Sequence, residues 1–409
     1  MIAAGLYAAF SDAEIADMLR GVGRSPDDDV FASAVWSCLV EPGDGVGGLL
    51  RRTFGPAGAL ASLASGDDEV KASMAAVGED ADRVDLAAAR RRWAPRSTLT
   101  VVRTAFRFAS VLGIRLVVPG DTVWPGALDS LGDHGPAALW VRGRPETLAV
   151  GPSVALVGSR AASAYGEQVA AELANGLVGL GVGVHSGGAY GVDGMAHRAT
   201  LAASGATIAI MAGGVDKYYP PGNHDLLQRV ADEGAVIAEV ACGTSPSRWR
   251  FLQRNRLIAA LTAGTVVVEA GHRSGALNTA SHARSLDRPI GAVPGPITSP
   301  ASAGCHRLMR DPDVACVTSA ADILEMIRPS LVAADVRLGP QRDSPDEMRL
   351  LDALSQRRAR SEAELAARAG LDEAVVRATL AVLELDGRAA ERDSGWVRCA
   401  SPRPGEPRG

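Results

Sequence analysis

Between Ser153 and about Pro294 the chain alternates short apolar runs with longer stretches of helical spacing. The runs Val154–Val157, Val182–His185, Thr207–Met211, Val236–Val240, Thr265–Glu269 and Ile290–Val293 are four or five residues long and rich in small and β-branched residues. Runs of that length, with little polar alternation inside them, predict strands buried on both faces; helical connections between them predict a parallel sheet covered on either side. Two more strands are predicted upstream, Ile114–Val118 and Ala138–Arg142, separated by a turn with Pro125 and packing onto that sheet.

The flanks follow a different period. Residues 1–96 mix helical spacing with turns at Gly21-Val22-Gly23 and Gly43-Asp44-Gly45-Val46-Gly47, which predicts a small module of short helices. Its last part, Asp67 to Arg96, is charged, alanine-rich and closed by Arg90-Arg91-Arg92 before Pro95, and reads as a connecting helix. Residues 97–328 then form the α/β domain, and residues 329–345, rich in Pro, Asp, Arg and Gly, form a linker. Within residues 346–400, helices are predicted at Asp346–Leu354, Ser361–Ala369 and Asp372–Asp386, with a β-wing around Gly395. Gly370 separates the second and third helices as in a helix-turn-helix. Residues 401–409 read as a disordered tail.

Composition narrows the partners. A chain of 409 residues, 47% hydrophobic and 22% charged, is globular and long enough for two to four domains. Its formal net charge of −5 lacks the basic excess of a non-specific duplex binder, so any nucleic-acid site is a local patch. The five cysteines are scattered, with no C-x-x-C pair, and read as reduced and structural. No apolar run approaches the roughly 18 residues that span a bilayer, and no signal peptide opens the chain, so the expected location is the cytoplasm.

Candidate chemistry gathers where the predicted strands end. Gly158-Ser159-Arg160 follows the first strand and precedes a helix starting near Ser163, bringing N–H groups, a hydroxyl and a guanidinium to a helix N-terminus, which is an anion pocket. Ser186-Gly187-Gly188-Ala189-Tyr190-Gly191-Val192-Asp193 ends the second strand, and Gly213-Gly214-Val215-Asp216 the third. Ligands of open α/β sheets bind beyond the carboxyl ends of the strands, so these turns are expected to line one crevice. Arg248-Trp249-Arg250-Phe251-Leu252-Gln253-Arg254-Asn255-Arg256 interleaves four arginines with two rings, the pattern a single-strand site uses. Ser274-Gly275 offers a further phosphate seat at a helix N-terminus. Neither a dinucleotide G-x-G-x-x-G with its downstream acid nor a Walker motif is present, so no cofactor is expected. His185, His197, His272, His282 and His306 sit in no ligand motif, and no metal is expected; Asp193, Asp216 and Glu269 read as capping or turn residues.

Taken in order, Gly158-Ser159-Arg160, Ser186-Gly187-Gly188-Ala189 with Gly191-Val192-Asp193 and Ala196-His197, Tyr219-Pro220 with Asn223, Phe251 with Arg254-Asn255-Arg256, Ser274-Gly275-Ala276-Leu277 with Thr279-Ala280, and Val293-Pro294-Gly295-Pro296 resemble the DprA/Smf family over about Ile114 to Arg310. The resemblance implies an extended Rossmann-like domain flanked by a small N-terminal module, SAM-like or a degenerate helix-hairpin-helix, and a C-terminal winged helix. It further implies a non-catalytic protein that binds and protects single-stranded DNA, pairs as a homodimer through the Rossmann-like domain and helps load RecA recombinase in DNA uptake, transformation and recombination. Carried over by position, Arg160 contacts phosphate beside Gly158 and Ser159, Gly187 and Gly188 let the strand approach, Phe251 lies near a base, Arg254, Asn255 and Arg256 hold the strand, and Ser274 and Gly275 complete the pocket. Pro221-Gly222 stands where some members carry a basic residue after the Tyr-Pro pair, and Asp372-Glu373 opens the third C-terminal helix with charge that repels phosphate. The rival from another class is a nucleotide phosphoribohydrolase on a similar sheet; its Pro-Gly-Gly-x-Gly-Thr-x-x-Glu signature has here only Ala263-Gly264-Thr265-Val266-Val267-Val268-Glu269 as a counterpart. A third reading is a DNA adaptor acting through the winged helix alone.

Overall fold

The computed structural model describes residues 9–80, 84–327, 345–356, 358–385, 388–392 and 395–399. The chain divides between residues 329 and 330 into two compact units. The expected linker and tail lie outside the described residues, except Pro345, which opens a helix.

Among the described residues the first unit holds six N-terminal α-helices: α1 (Asp12–Gly21), α2 (Asp28–Leu39), α3 (Gly45–Ser62), α4 (Asp67–Ala76), α5 (Leu86–Trp93) and α6 (Leu99–Val111). An antiparallel pair follows, β1 (Arg115–Val117) and β2 (Leu139–Gly143), and then β3 (Ser153–Gly158), α7 (Ala164–Gly179), β4 (Gly183–Ser186), α8 (Val192–Ala202), β5 (Thr207–Ile210), α9 (His224–Glu233), β6 (Ala235–Ala238), α10 (Arg248–Ala260), β7 (Gly264–Glu269), α11 (Ala276–Ser285), β8 (Ile290–Ala292), α12 (Ala303–Leu308), β9 (Val314–Cys316) and α13 (Ala320–Ile327). All eight predicted strands are present, and β9 joins them at the far edge. The sheet order is β1-β2-β6-β5-β4-β3-β7-β8-β9, parallel from β6 to β9 with β2 antiparallel to β6.

The central strands, β3 to β8, are buried on both sides, yet their residues divide by the period of two that a strand imposes. Ala155 and Val157 pack with α10 and α11, while Val154 and Leu156 pack with α7 and α8. Ile208 and Ile237 go to the first of these faces, and Ala209 and Val236 to a third core shared with the N-terminal helices.

That third core removes the boundary expected at residue 96. Phe31 stacks on Phe106 with centroids 5.7 Å apart, Phe106 meets Trp140 of β2 edge-on at 5.6 Å, and Trp140 Nε1 donates to Ser37 Oγ at 3.0 Å. The N-terminal helices therefore complete the sheet's core instead of standing as a separate module. Two local expectations also change. The run Gly43–Gly47 is half turn, half helix: Asp44 accepts from Val46 N and Gly47 N and starts α3 at Gly45. Its glycines serve close packing, since a Cβ on Gly45 would lie 2.8 Å from the His134 ring and one on Gly43 2.7 Å from Gln253 Oε1. The single connecting helix expected over 67–96 is two helices, α4 and α5, with Gly78 at φ +84° just beyond α4.

The second unit contains α14 (Pro345–Ala353), α15 (Glu362–Ala369), α16 (Glu373–Leu385) and a two-stranded wing, β10 (Ala389–Arg392) against β11 (Gly395–Arg398). Ser361 caps α15, Gly370 ends it in the left-handed region at φ +65°, and Leu350, Leu365, Val376, Leu380 and Trp396 form the core. This is the helix-turn-helix and wing that the pattern predicts.

Candidate nucleic-acid interface

The sheet reverses direction of winding at β3, whose neighbours are β4 and β7. In open α/β sheets a ligand crevice forms at such a switch point, beyond the carboxyl ends of the strands. Here that position is a crevice of about 830 Å³, lined chiefly by the turn after β3, the first three turns of α10 and the loop between β7 and α11, with Ala189, Asp193 and Tyr219 beside them.

Its charge comes from three elements. Arg160 follows β3, Arg248 opens α10 and Arg273 lies in the β7–α11 loop; all three are exposed, and none has an acidic partner among the described residues. Asp193 is the one carboxylate in the lining, and it is buried with its Oδ2 accepting from Gly187 N at 3.2 Å and Ala189 N at 3.4 Å. Burial raises the Asp193 pKa, against the pull of the Arg254 charge and the backbone donors. A chain of net charge −5 thus carries a locally cationic crevice.

Two rings and two guanidiniums pack together in its lining. Arg160 Cζ lies 4.8 Å from the centroid of Phe251, Arg254 Cζ lies 5.8 Å from it, and the ring of Tyr219 stands 5.6 Å away at 54°. Tyr219 is 42% exposed. A guanidinium over an aromatic face is the arrangement that also accommodates a stacked base.

Beneath the rings, Arg254 is buried. Its Nη1 donates to Gly187 O at 2.8 Å and to Ile210 O at 2.5 Å, and its Nε donates to Asn255 Oδ1 at 3.2 Å. Burial pulls its pKa down to about 10, so it stays cationic at neutral pH. Asn255 Nδ2 donates to Asn278 Oδ1 at 3.1 Å and to Gly275 O at 3.4 Å, tying α10 to the N-terminus of α11, where Ser274 Oγ accepts from Ala276 N at 3.3 Å.

A family model described as DNA recombination-mediator protein A matches residues 115–328, which is just over half of the chain. The chain belongs to the DNA recombination-mediator protein A family. A second model, the DprA winged helix domain, matches residues 337–395. The putative DNA processing protein DprA of Mycobacterium tuberculosis is 46% identical over 299 residues, 69% of this chain and 77% of that protein. The DNA processing protein DprA of Bacillus subtilis is 36% identical over 213 residues, 52% of this chain and 71% of that protein. The X-ray structure of DprA from Streptococcus pneumoniae aligns with a TM-score of 0.57 at 28% identity, over 71% of this chain and 95% of that one.

In this recombination-mediator chain the crevice brings together Gly158, Ser159, Arg160, Phe251, Arg254, Asn255, Ser274 and Gly275. It leaves out three residues picked from the sequence. Arg256 points to the other side of α10, buried against Glu239 with Nη2 2.5 Å from both carboxylate oxygens. Gly187 and Gly188 lie behind the lining: a Cβ on Gly187 would sit 2.3 Å from Arg254 Nη1, and Gly188 O accepts from Asn223 Nδ2 at 3.1 Å. The helix N-terminus near Ser163 is also not a free anion seat. Glu269 fills it, accepting from Ser163 N at 2.9 Å and Ser163 Oγ at 2.5 Å, while Glu269 O takes the Ser159 N–H at 2.7 Å. The third glycine turn packs away from the crevice, with Gly214 N donating to Thr244 O and Asp216 Oδ1 accepting from Gly243 N, both at 2.8 Å. Arg248, Tyr219 and Arg273 complete the lining without being among the predicted site residues, although Arg248 opens the α10 cluster, Tyr219 belongs to the Tyr219-Pro220 motif and Arg273 directly precedes the Ser274-Gly275 seat.

Gly191 holds the second turn against the first. It has φ +69°, and a Cβ there would lie 2.3 Å from Ser159 O. Gly191→Ala is expected to cost about 1 to 3 kcal/mol through strain and overlap, measured by urea unfolding; a parent-like midpoint would show that the two turns are not packed this way.

Among the described residues no helix is long and apolar enough to cross a membrane, and no three His, Cys, Asp or Glu side chains cluster as metal ligands.

Proposed function

We propose that this protein binds single-stranded DNA in the crevice at the β3–β7 switch point, protects it and passes it to RecA recombinase, working as a homodimer and without catalytic turnover. The observation that carries the reading is that Arg160, Arg248 and Arg273, none with an acidic partner among the described residues, line one crevice with Phe251 and Tyr219. Guanidiniums neutralise phosphates at intervals along a strand, and the rings take bases without reading them. RecA loading and dimerisation are proposed from family membership.

The phosphoribohydrolase alternative gains nothing from the geometry. Both oxygens of Glu269, the acid nearest to that signature, are engaged by Ser163, so no free carboxylate stands at the end of β7 for acid–base work.

The test is titration of a fluorescent single-stranded oligonucleotide and the matching duplex across a salt series, with Arg160→Ala beside the parent. The parent is expected to prefer the single strand. Arg160→Ala is expected to weaken binding and flatten the log–log salt slope by about 0.7, one phosphate contact on a single strand. Equal binding by both proteins would move the site out of the crevice.

A further inference from the structure

Helix α10 has two working faces. Phe251, Asn255 and Ile258, spaced by four and three residues, line the crevice. On another side, Arg250, Gln253 and Arg256 recur every third residue and meet other parts of the unit.

The loop that follows α2 is seated on this second face. Glu41 accepts from Arg250 through two bonds, Nε to Oε2 at 3.0 Å and Nη2 to Oε1 at 2.8 Å, and Arg96 pairs with the same carboxylate. Arg250 Nη1 also donates to Ser245 O at 2.5 Å, two residues before the Ser247 cap of α10. Two residues after Glu41, Gly43 has φ +81° and lies so close to α10 that a Cβ there would be 2.7 Å from Gln253 Oε1. The next residue, Asp44, accepts from Trp93 Nε1 at 2.9 Å and from Arg92 Nη2 at 3.2 Å, which anchors the loop to α5.

We propose that Glu41 is a positioning residue for DNA binding: through Arg250 it fixes the first turn of α10 to the N-terminal helices and so holds Arg248 and Phe251 in place across the crevice. This rests on the reading that the crevice binds single-stranded DNA. It gives the N-terminal helices a task that needs no contact with the strand. A site whose cations are already placed loses less freedom on binding, and the affinity gained that way disappears when the support is loosened.

Charge and position predict opposite signs. Glu41 is an anion near a polyanion's site, so on Coulombic grounds its neutralisation tightens DNA binding. Loosening α10 weakens it. In the full chain, Glu41→Gln is expected to weaken binding of an oligothymidylate of about 20 nucleotides by about five- to tenfold at low salt, while Glu41→Asp keeps most of the affinity. Gly43→Ala, which displaces the loop without changing any charge, is expected to weaken binding in the same direction. Thermal unfolding of each variant, followed by circular dichroism, confirms that the proteins compared are folded at the assay temperature. Parent-like or tighter binding by Glu41→Gln overturns the proposal, as does parent-like binding by a folded Gly43→Ala. Arg160→Ala run alongside separates the two levels: if it binds like the parent, the crevice reading falls and this inference with it. If it fails to bind while the Glu41 and Gly43 variants bind normally, this inference alone falls.

Discussion

Arg254→Ala is expected to lower the free energy of unfolding by about 3 to 5 kcal/mol, the cost of removing one member of a buried charge arrangement, and to abolish single-strand binding with it. The guanidinium sits under the crevice and satisfies the carbonyls of Gly187 and Ile210, from the ends of β4 and β5. It is also the cation whose field steadies the buried Asp193 carboxylate. Truncation leaves two carbonyls without their donor and Asp193 without its cation, and it frees the glycine turn that packs against the β3 turn. Arg254→Lys is expected to recover only part of the loss, because one ammonium cannot reproduce the planar fork that reaches two carbonyls and Asn255 together. Urea unfolding at neutral pH measures both; a midpoint for Arg254→Ala within error of the parent would mean that the guanidinium braces nothing.

Acid is expected to destabilise the first unit well before general carboxylate titration. His185 and His197 are buried below the crevice, and burial pushes their pKa values down from 6.5 to about 4 and about 3. His197 Nδ1 pairs with Thr207 Oγ1 at 2.8 Å; since that hydroxyl donates to Val184 O at 2.6 Å, the ring N–H is the donor, and Nε2 has no partner among the described residues. The folded state therefore holds both rings neutral, while the unfolded chain takes up protons below pH 6.5. With folded pKa values below the unfolded one, the stability is fully present above about pH 6.5 and falls as the pH drops towards 4. Each histidine is worth about 2 kcal/mol of lost stability between pH 8 and pH 5. Urea unfolding at the two pH values should show the loss in the parent and a smaller one in a His185→Gln/His197→Gln variant; equal losses would count against neutral buried rings.

Much of the fold was legible because strands and helices are local. Val154–Val157 and Thr265–Glu269 are short, apolar and flanked by glycine turns, and a parallel sheet follows from helical spacing between such runs. The winged helix was legible for the same reason, from the Ser361 cap, the Gly370 stop and the glycine of the wing. The N-terminal helices were legible as helices but not as part of the sheet's core, because that depends on Phe31, Phe106 and Trp140 meeting across more than a hundred residues.

The site divides in the same way. The sequence by itself determined that glycine turns close β3 and β4, that a basic, ring-bearing segment opens α10, and that both lie at the carboxyl edge of a parallel sheet. Only the tertiary structure decided what each charge does. Four arginines within nine residues look alike in the chain, yet Arg248 faces solvent, Arg250 takes Glu41, Arg254 takes two backbone carbonyls and Arg256 takes Glu239. The anion seat read at Ser163 was given instead to Glu269, which lies 106 positions further along the chain. Periodicity and turn chemistry act over a few residues and can be read from order alone, whereas a charged side chain is satisfied by whichever group the folded chain brings within about 3 Å of it.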